Sequence, residues 1–221
     1  MKQLCSSILA LVLMVSLAGA QDVINAENAE KRTIGSFHAI ETAAGIEVIL
    51  TKSSKEELAV TATDRDMLPK VRTVVVNGVL KINREDTWKF WNQWKNWRVK
   101  VYVSYVNLDG VEASSGGSIV AKDVNLEKVR AEVSSGGTIN LTGKVNNLSV
   151  DASSGGQFRG YDLQVAVCKV DASSGGGIQV TVNKEISAEA SSGGFVRFKG
   201  EGLIRNIDVS SGGSVKRQTD K

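Results

Sequence analysis

Histidine, proline and cysteine are nearly missing from this 221-residue chain, which holds one, one and two of them. The lone His38 excludes a multi-histidine metal centre and any dyad built from two imidazoles. The lone Pro69, set against 22 glycines, describes a chain that turns often yet keeps its backbone N–H groups free for sheet ladders. Cys5 falls in the leader described below, so Cys168 has no partner and an intramolecular disulfide is excluded. Cys168 shares parity with apolar Ala166 and Val170, the pattern of a buried, inert thiol. Aromatic residues number only 12, but five of them crowd into residues 88–97. The net charge of +3 lacks the concentrated Lys and Arg of a nucleic-acid binder. A hydrophobic share of 42% is ample for a packed core in one large domain or two small ones.

The first twenty residues read as a secretory signal peptide. Lys2 supplies the positive start, Ile8 to Leu17 the apolar run, and Ala18-Gly19-Ala20 a small-residue cleavage site. The run is shorter than the ~20 residues of a membrane span. The expected product is exported, to the periplasm, the outer-membrane surface or the medium. Residues 21–32 are expected to be a flexible segment ahead of a single domain over 33–217, with capping coils at 33–108 and repeats at 109–217.

The repeat is explicit. Ser-Ser-Gly-Gly begins at Ser114, Ser134, Ser153, Ser173, Ser191 and Ser210, at intervals of 20, 19, 20, 18 and 19 residues. A period near 20 indicates a solenoid. Around each tetrapeptide apolar residues alternate, as in Val129, Ala131, Val133, Ile139 and Leu141, so the segments are strands with one buried face. The parity passes through Ser-Ser-Gly-Gly, which makes it a corner, with the second Ser and second Gly expected to point inward. No repeat can bury its own stripe; stacked coils can. Two inner ladders follow: Val111, Ala131, Val150, Val170, Ala188, Ile207, and Ile119, Ile139, Phe158, Ile178, Val196, Val215. The expected fold is all-β, a right-handed parallel β-helix with coils of about 19 residues. In the first half, Leu58–Thr63 and Val99–Val103 read as strands, and Asn77-Gly78 as either a hairpin or a solenoid corner.

The chain resembles the auto-transporter adhesin head GIN domain family, secreted β-helical proteins of Bacteroidetes-type bacteria. The resemblance rests on Thr33–Ile40, Gly45–Leu50, the G-x-L-x-I step Gly78–Ile82, Val99–Val103, and the Gly-x-Ile steps Gly117-Ser118-Ile119 and Gly137-Thr138-Ile139. It spans residues 33–216 and implies a β-helix in the cell envelope. It carries over no catalytic residue. The adhesin name also implies a translocator barrel, for which the residues after the last repeat leave no length.

Catalysis is not expected. Polysaccharide-cleaving enzymes need carboxylates with separated pKa values, whereas the outward carboxylates here sit in equivalent environments. The serine pairs have no base near them in sequence. The expected function is therefore a non-catalytic binding or adhesion module for a glycan or a cell-surface partner; the alternative is a self-associating structural protein of the envelope.

Two features are candidate sites. Trp88, Trp91, Trp94 and Trp97 recur every third residue, interleaved with Lys89, Lys95 and Arg98. They form either a lid over the solenoid or an aromatic platform for sugar rings or a membrane interface. Second, the residue two before each tetrapeptide is acidic: Glu112, Glu132, Asp151, Asp171, Glu189 and Asp208. Stacking aligns all six outward about 4.8 Å apart. Neighbouring like charges at that spacing repel by roughly 1 kcal/mol in water, so an offset is required. The first Ser of each tetrapeptide could donate a hydrogen bond, Arg130 and Lys169 supply charge to two coils, and a row of weak Ca²⁺ sites is the sharper reading.

Overall fold

The computed structural model describes residues 29–85 and 98–219; the leader expected at 1–20 and the four tryptophans lie outside the described residues. The protein is 66% strand, wound as a β-solenoid. The repeats form β8 (Gly110–Ala113), β9 (Ser118–Val133), β10 (Thr138–Ala152), β11 (Gln157–Ala172), β12 (Gly177–Ala190), β13 (Phe195–Lys199), β14 (Leu203–Val209) and β15 (Ser214–Arg217). Successive coils pair in parallel, and both expected inner ladders are in register from Val111 to Ile207 and from Ile119 to Val215.

The corner geometry explains the tetrapeptide. The second Ser and first Gly are both left-handed, as at Ser154 (φ 48) and Gly155 (φ 75), and together they reverse the chain. The first Gly donates its N–H to the second Ser carbonyl one coil on, as in Gly155 to Ser174 at 3.2 Å. The second Gly closes the turn on the first Ser, as in Gly156 N–H to Ser153 O at 2.8 Å. The second Ser is exposed rather than inward. Its left-handed backbone swings the side chain out of the strand's alternation. The second Gly is buried from Gly117 to Gly194, as expected.

The first half supplies two more coils, stacked out of chain order. β2 (Ala39–Thr42) and β3 (Glu47–Lys52) form a coil between the one made by β6 (Val79–Arg84) with β7 (Val99–Tyr105) and the first repeat. Residues 39–52 are thus a regular coil rather than an irregular cap, turning through Ala44 (φ 56) and Gly45 (φ 70). The cap proper is antiparallel: β5 (Val71–Val76) on β6, β4 (Glu57–Ala62) on β7, and β1 (Glu30–Arg32) on β4. Asn77-Gly78 is the β5–β6 hairpin, both residues left-handed. A short 3-10 helix, Arg65–Lys70, buries Met67 and Leu68 between β4 and β5.

Residues 30–32, expected in the flexible segment, are part of this cap. Arg32 holds them there, donating to the carbonyls of Val71 and Leu68 and to Thr73 Oγ1. Antiparallel strands suit an end coil because they shield its edge. The opposite end lacks such cover among the described residues. There Leu203, Ile204, Ile207 and Val209 are 64, 49, 39 and 47% exposed.

One polar group interrupts the core. Thr42 is fully buried in β2, and its hydroxyl has no hydrogen-bond partner among the described residues. A buried orphan hydroxyl carries its desolvation cost uncompensated. Thr42→Val keeps the shape and is expected to stabilise the protein by about 1 kcal/mol, read as an upward shift of the urea midpoint with unchanged slope.

Candidate functional site

The carboxylate row is built by register alone. Each member lies one residue before the last core position ahead of a corner, so strand alternation turns it outward while parallel pairing stacks it. Glu112, Glu132, Asp151, Asp171, Glu189 and Asp208 are successive partners across six coils. The row extends one coil further, because Glu41 pairs with Glu112, and it ends on Lys81. Glu41 carries no tetrapeptide after it and gave no signal in the repeat pattern.

The charge is offset unevenly. Lys81 Nζ lies 2.6 Å from Glu41, and Arg130 bridges Glu132 at 2.6 Å and Asp151 at 2.8 Å. Lys169 forms no such pair, and Asp171, Glu189 and Asp208 have no cation partner among the described residues. Among the described residues no first Ser donates its hydroxyl to the row; its backbone makes the turn and ladder bonds. Neighbouring carboxylates sit side by side along a line. Among the described residues no group of three or more His, Cys, Asp or Glu could hold a metal ion.

Glu112 shows the cost of the row. Partial burial raises its pKa, Glu41 and then Glu132 raise it further, and Lys81 opposes them. A raised carboxylate pKa means that the folded state holds the proton more tightly than the unfolded one. Stability from this group therefore grows as pH falls through the raised value, and the ionised form is a liability above it. Glu112→Gln is expected to raise Tm at neutral pH. The gain should vanish below about pH 4, where glutamate is itself protonated. A gain that persists at acid pH would point to packing rather than charge.

The other candidate groups separate. Cys168 is buried in β11, and burial pushes its thiol pKa up to about 12, so it is not a nucleophile. Trp88, Trp91, Trp94 and Trp97 fall outside the described residues. Ile82 pairs with Thr42 and Lys100 with Glu47. β6 and β7 thus stack on the two strands that flank the 43–46 corner.

One pairing has no sequence signal: His38 Nδ1 lies 2.7 Å from Asp109 Oδ1, across 71 residues, and both are well exposed. The two sit beside a shallow depression of about 440 Å³ lined by Ser36, Phe37, His38, Glu56, Val106 and Asn107. Ser36 makes no hydrogen bond to the imidazole, so the pair orients a ring without activating a hydroxyl. Among the described residues no helix is long and apolar enough to cross a membrane.

Comparison with known proteins follows the same lines. The family model described as "Putative auto-transporter adhesin, head GIN domain" matches residues 36–202. Among solved structures, a "putative adhesin" from Bacteroides fragilis superposes with a TM-score of 0.69 at 14% identity, over 86% of this chain and 96% of that one. A "putative lipid binding protein" from Parabacteroides distasonis gives a TM-score of 0.50 at 21% identity, over 87% and 98%. These likenesses establish the fold. No curated protein sequence matches the chain.

Proposed function

The chain belongs to the head GIN domain family, and we propose that it is a non-catalytic adhesion module that binds a glycan or a surface partner along the outside of its solenoid. The observation that carries this reading is the way outward side chains form straight rows, at a repeat of about 4.8 Å, on a wall stiffened by a continuous core. Such a wall suits an extended ligand. The depression beside His38 is shallow, and it holds no nucleophile–base pair. Family membership supports a surface or extracellular setting.

The test is a glycan array probed with the full chain, paired with assays for release of cleavage products from polysaccharides. Binding without turnover supports the reading; turnover overturns it. Trp91→Ala and Trp94→Ala resolve the tryptophans: lost binding at unchanged Tm marks a platform, and a lowered Tm with normal binding marks a lid.

A second reading, self-association in the envelope, is favoured by the exposed apolar residues of β14. Light scattering across a concentration series tests it. Assembly that Ile204→Lys abolishes supports this reading, and a monomer at every concentration sinks it.

A further inference from the structure

The two strand faces flanking the corner differ in charge. Ahead of it runs the carboxylate row. Behind it, from β11 to β15, Arg159, Gln179, Arg197 and Lys216 stand in register, one per coil. All three cations are exposed. None has a carboxylate partner among the described residues, whereas Lys81, Lys100, Arg130 and Arg205 are all ion-paired. Like charges held in register repel, so an unpaired basic row is unfavourable in the free protein and invites an anion.

Rings flank the row. The Arg197 guanidinium lies 5.0 Å from the Phe195 ring centroid, and Lys199 Nζ lies 5.3 Å from that of Tyr161. Tyr161 also donates to Gln218 Oε1 and accepts from Thr181 at its carbonyl, which fixes its position. The phenol's pKa is raised by burial and lowered by Arg197 and Lys199, so these charges converge on the ring. The rings stay half-buried beneath the cations rather than projecting. A projecting apolar wedge would suit a bilayer; a narrow straight track of cations, an amide and ring faces suits a polymer carrying carboxylates or sulfates among hydroxyls.

We propose that the strand face bearing Arg159, Gln179, Arg197 and Lys216 is a track for an anionic polysaccharide laid along the solenoid axis. The inference rests on the adhesion reading and names its ligand class. Arg159 and Arg197 stand two coils apart, about 9.6 Å, and Lys216 one coil beyond. Charged groups of the polymer would meet Arg159, Arg197 and Lys216, with Gln179 meeting a hydroxyl between the two arginines.

The experiment uses the full chain with polygalacturonate as the probe, dextran as the neutral polymer and phosphatidylglycerol vesicles as the lipid arm, by titration calorimetry and co-sedimentation. Polygalacturonate is expected to bind in a salt-sensitive manner, and Arg159→Gln/Arg197→Gln to raise its Kd at least tenfold, with Tm unchanged. Lys128→Gln/Lys169→Gln removes the same charge from the carboxylate face and should change Kd less than twofold. Equal losses in both double variants would reduce the effect to net charge and overturn the track. So would vesicle binding with the same dependence on Arg159 and Arg197, or assembly of the protein that only the arginine variant abolishes. If a neutral glycan binds and polygalacturonate does not, the track fails while the adhesion reading stands. If no glycan or surface partner binds, both fail.

Discussion

Gly156→Ala should destabilise the protein by about 3 kcal/mol or more, a large fraction of the ~5–15 kcal/mol that holds a native fold. A Cβ at Gly156 would lie 2.4 Å from the Val133 carbonyl oxygen, 2.6 Å from its carbon and 2.8 Å from Ser134 N. These are backbone atoms fixed by coil-to-coil hydrogen bonds, such as Ser153 N–H to Val133 O at 2.9 Å. No side chain can move aside, so the ladder itself must part. Gly155→Ala is the internal control. Its Cβ would meet nothing within 4 Å, but φ is +75. The expected cost there is only the ~1–2 kcal/mol of a left-handed L-residue, and Gly155→Asn should cost less. Urea melts of the three variants should rank them Gly156→Ala, Gly155→Ala, Gly155→Asn in order of damage. Equal costs at 155 and 156 would show that the ladder yields to a methyl at 156, where the backbone is not left-handed.

That contrast also marks what the sequence could and could not reveal. The repeats were legible because two local rules coincide in them. Strand alternation names the core, and a corner of fixed length keeps the register, so Val111 to Ile207 and Glu112 to Asp208 could be aligned from spacing alone. The coil at residues 39–52 obeys the same geometry but was hidden. Its corner is Ala43-Ala44-Gly45-Ile46, with a buried Ile where the repeats have their second Gly. The glycine is needed only where the preceding coil presses a tight corner against it. The contact tightens along the stack, from 3.0 Å at Gly117 to 2.1 Å at Gly213. The coil stacked before 39–52, made by β6 and β7, carries no Ser-Ser-Gly-Gly, and opposite it Ile46 is buried in place of the second Gly.

The stacking order was hidden for a different reason. Placing β2 and β3 between β6–β7 and β8–β9 is a matter of non-local pairing, which no local pattern encodes. At the site, the carboxylate row was legible as a periodic feature, but its compensation was not. Spacing pointed to Arg130, which does bridge Glu132 and Asp151, and equally to Lys169, which bridges no carboxylate among the described residues. The basic track behind the corner has only one residue per coil and no constant side chain. It emerges only when register brings Arg159, Arg197 and Lys216 together.

Phe158→Ala is expected to cost about 3–5 kcal/mol, the range for emptying a buried aromatic site. Phe158 is 1% exposed and stands in a ladder otherwise made of Ile and Val. It fits because the chain makes room two residues later. A Cβ at Gly160 would lie 2.8 Å from Phe158 Cε1, so the ring occupies the space that a side chain at 160 would take. The two positions therefore form one packing unit, and their substitutions should not add. Gly160→Ala alone overpacks the ring and should destabilise by about 1–3 kcal/mol. Phe158→Ile removes the ring edge and leaves a void, at a cost below that of Phe158→Ala. In the double variant the new methyl enters part of that void. The sum of the single costs should exceed the double cost by about 1 kcal/mol or more, a coupling of the size found between residues in contact. The Cβ at 160 also approaches the Gln179 carbonyl at 3.2 Å, so some cost of Gly160→Ala survives in every background. Four urea melts close the cycle, and strictly additive costs would mean that Gly160 is held by the β12 backbone rather than by the ring.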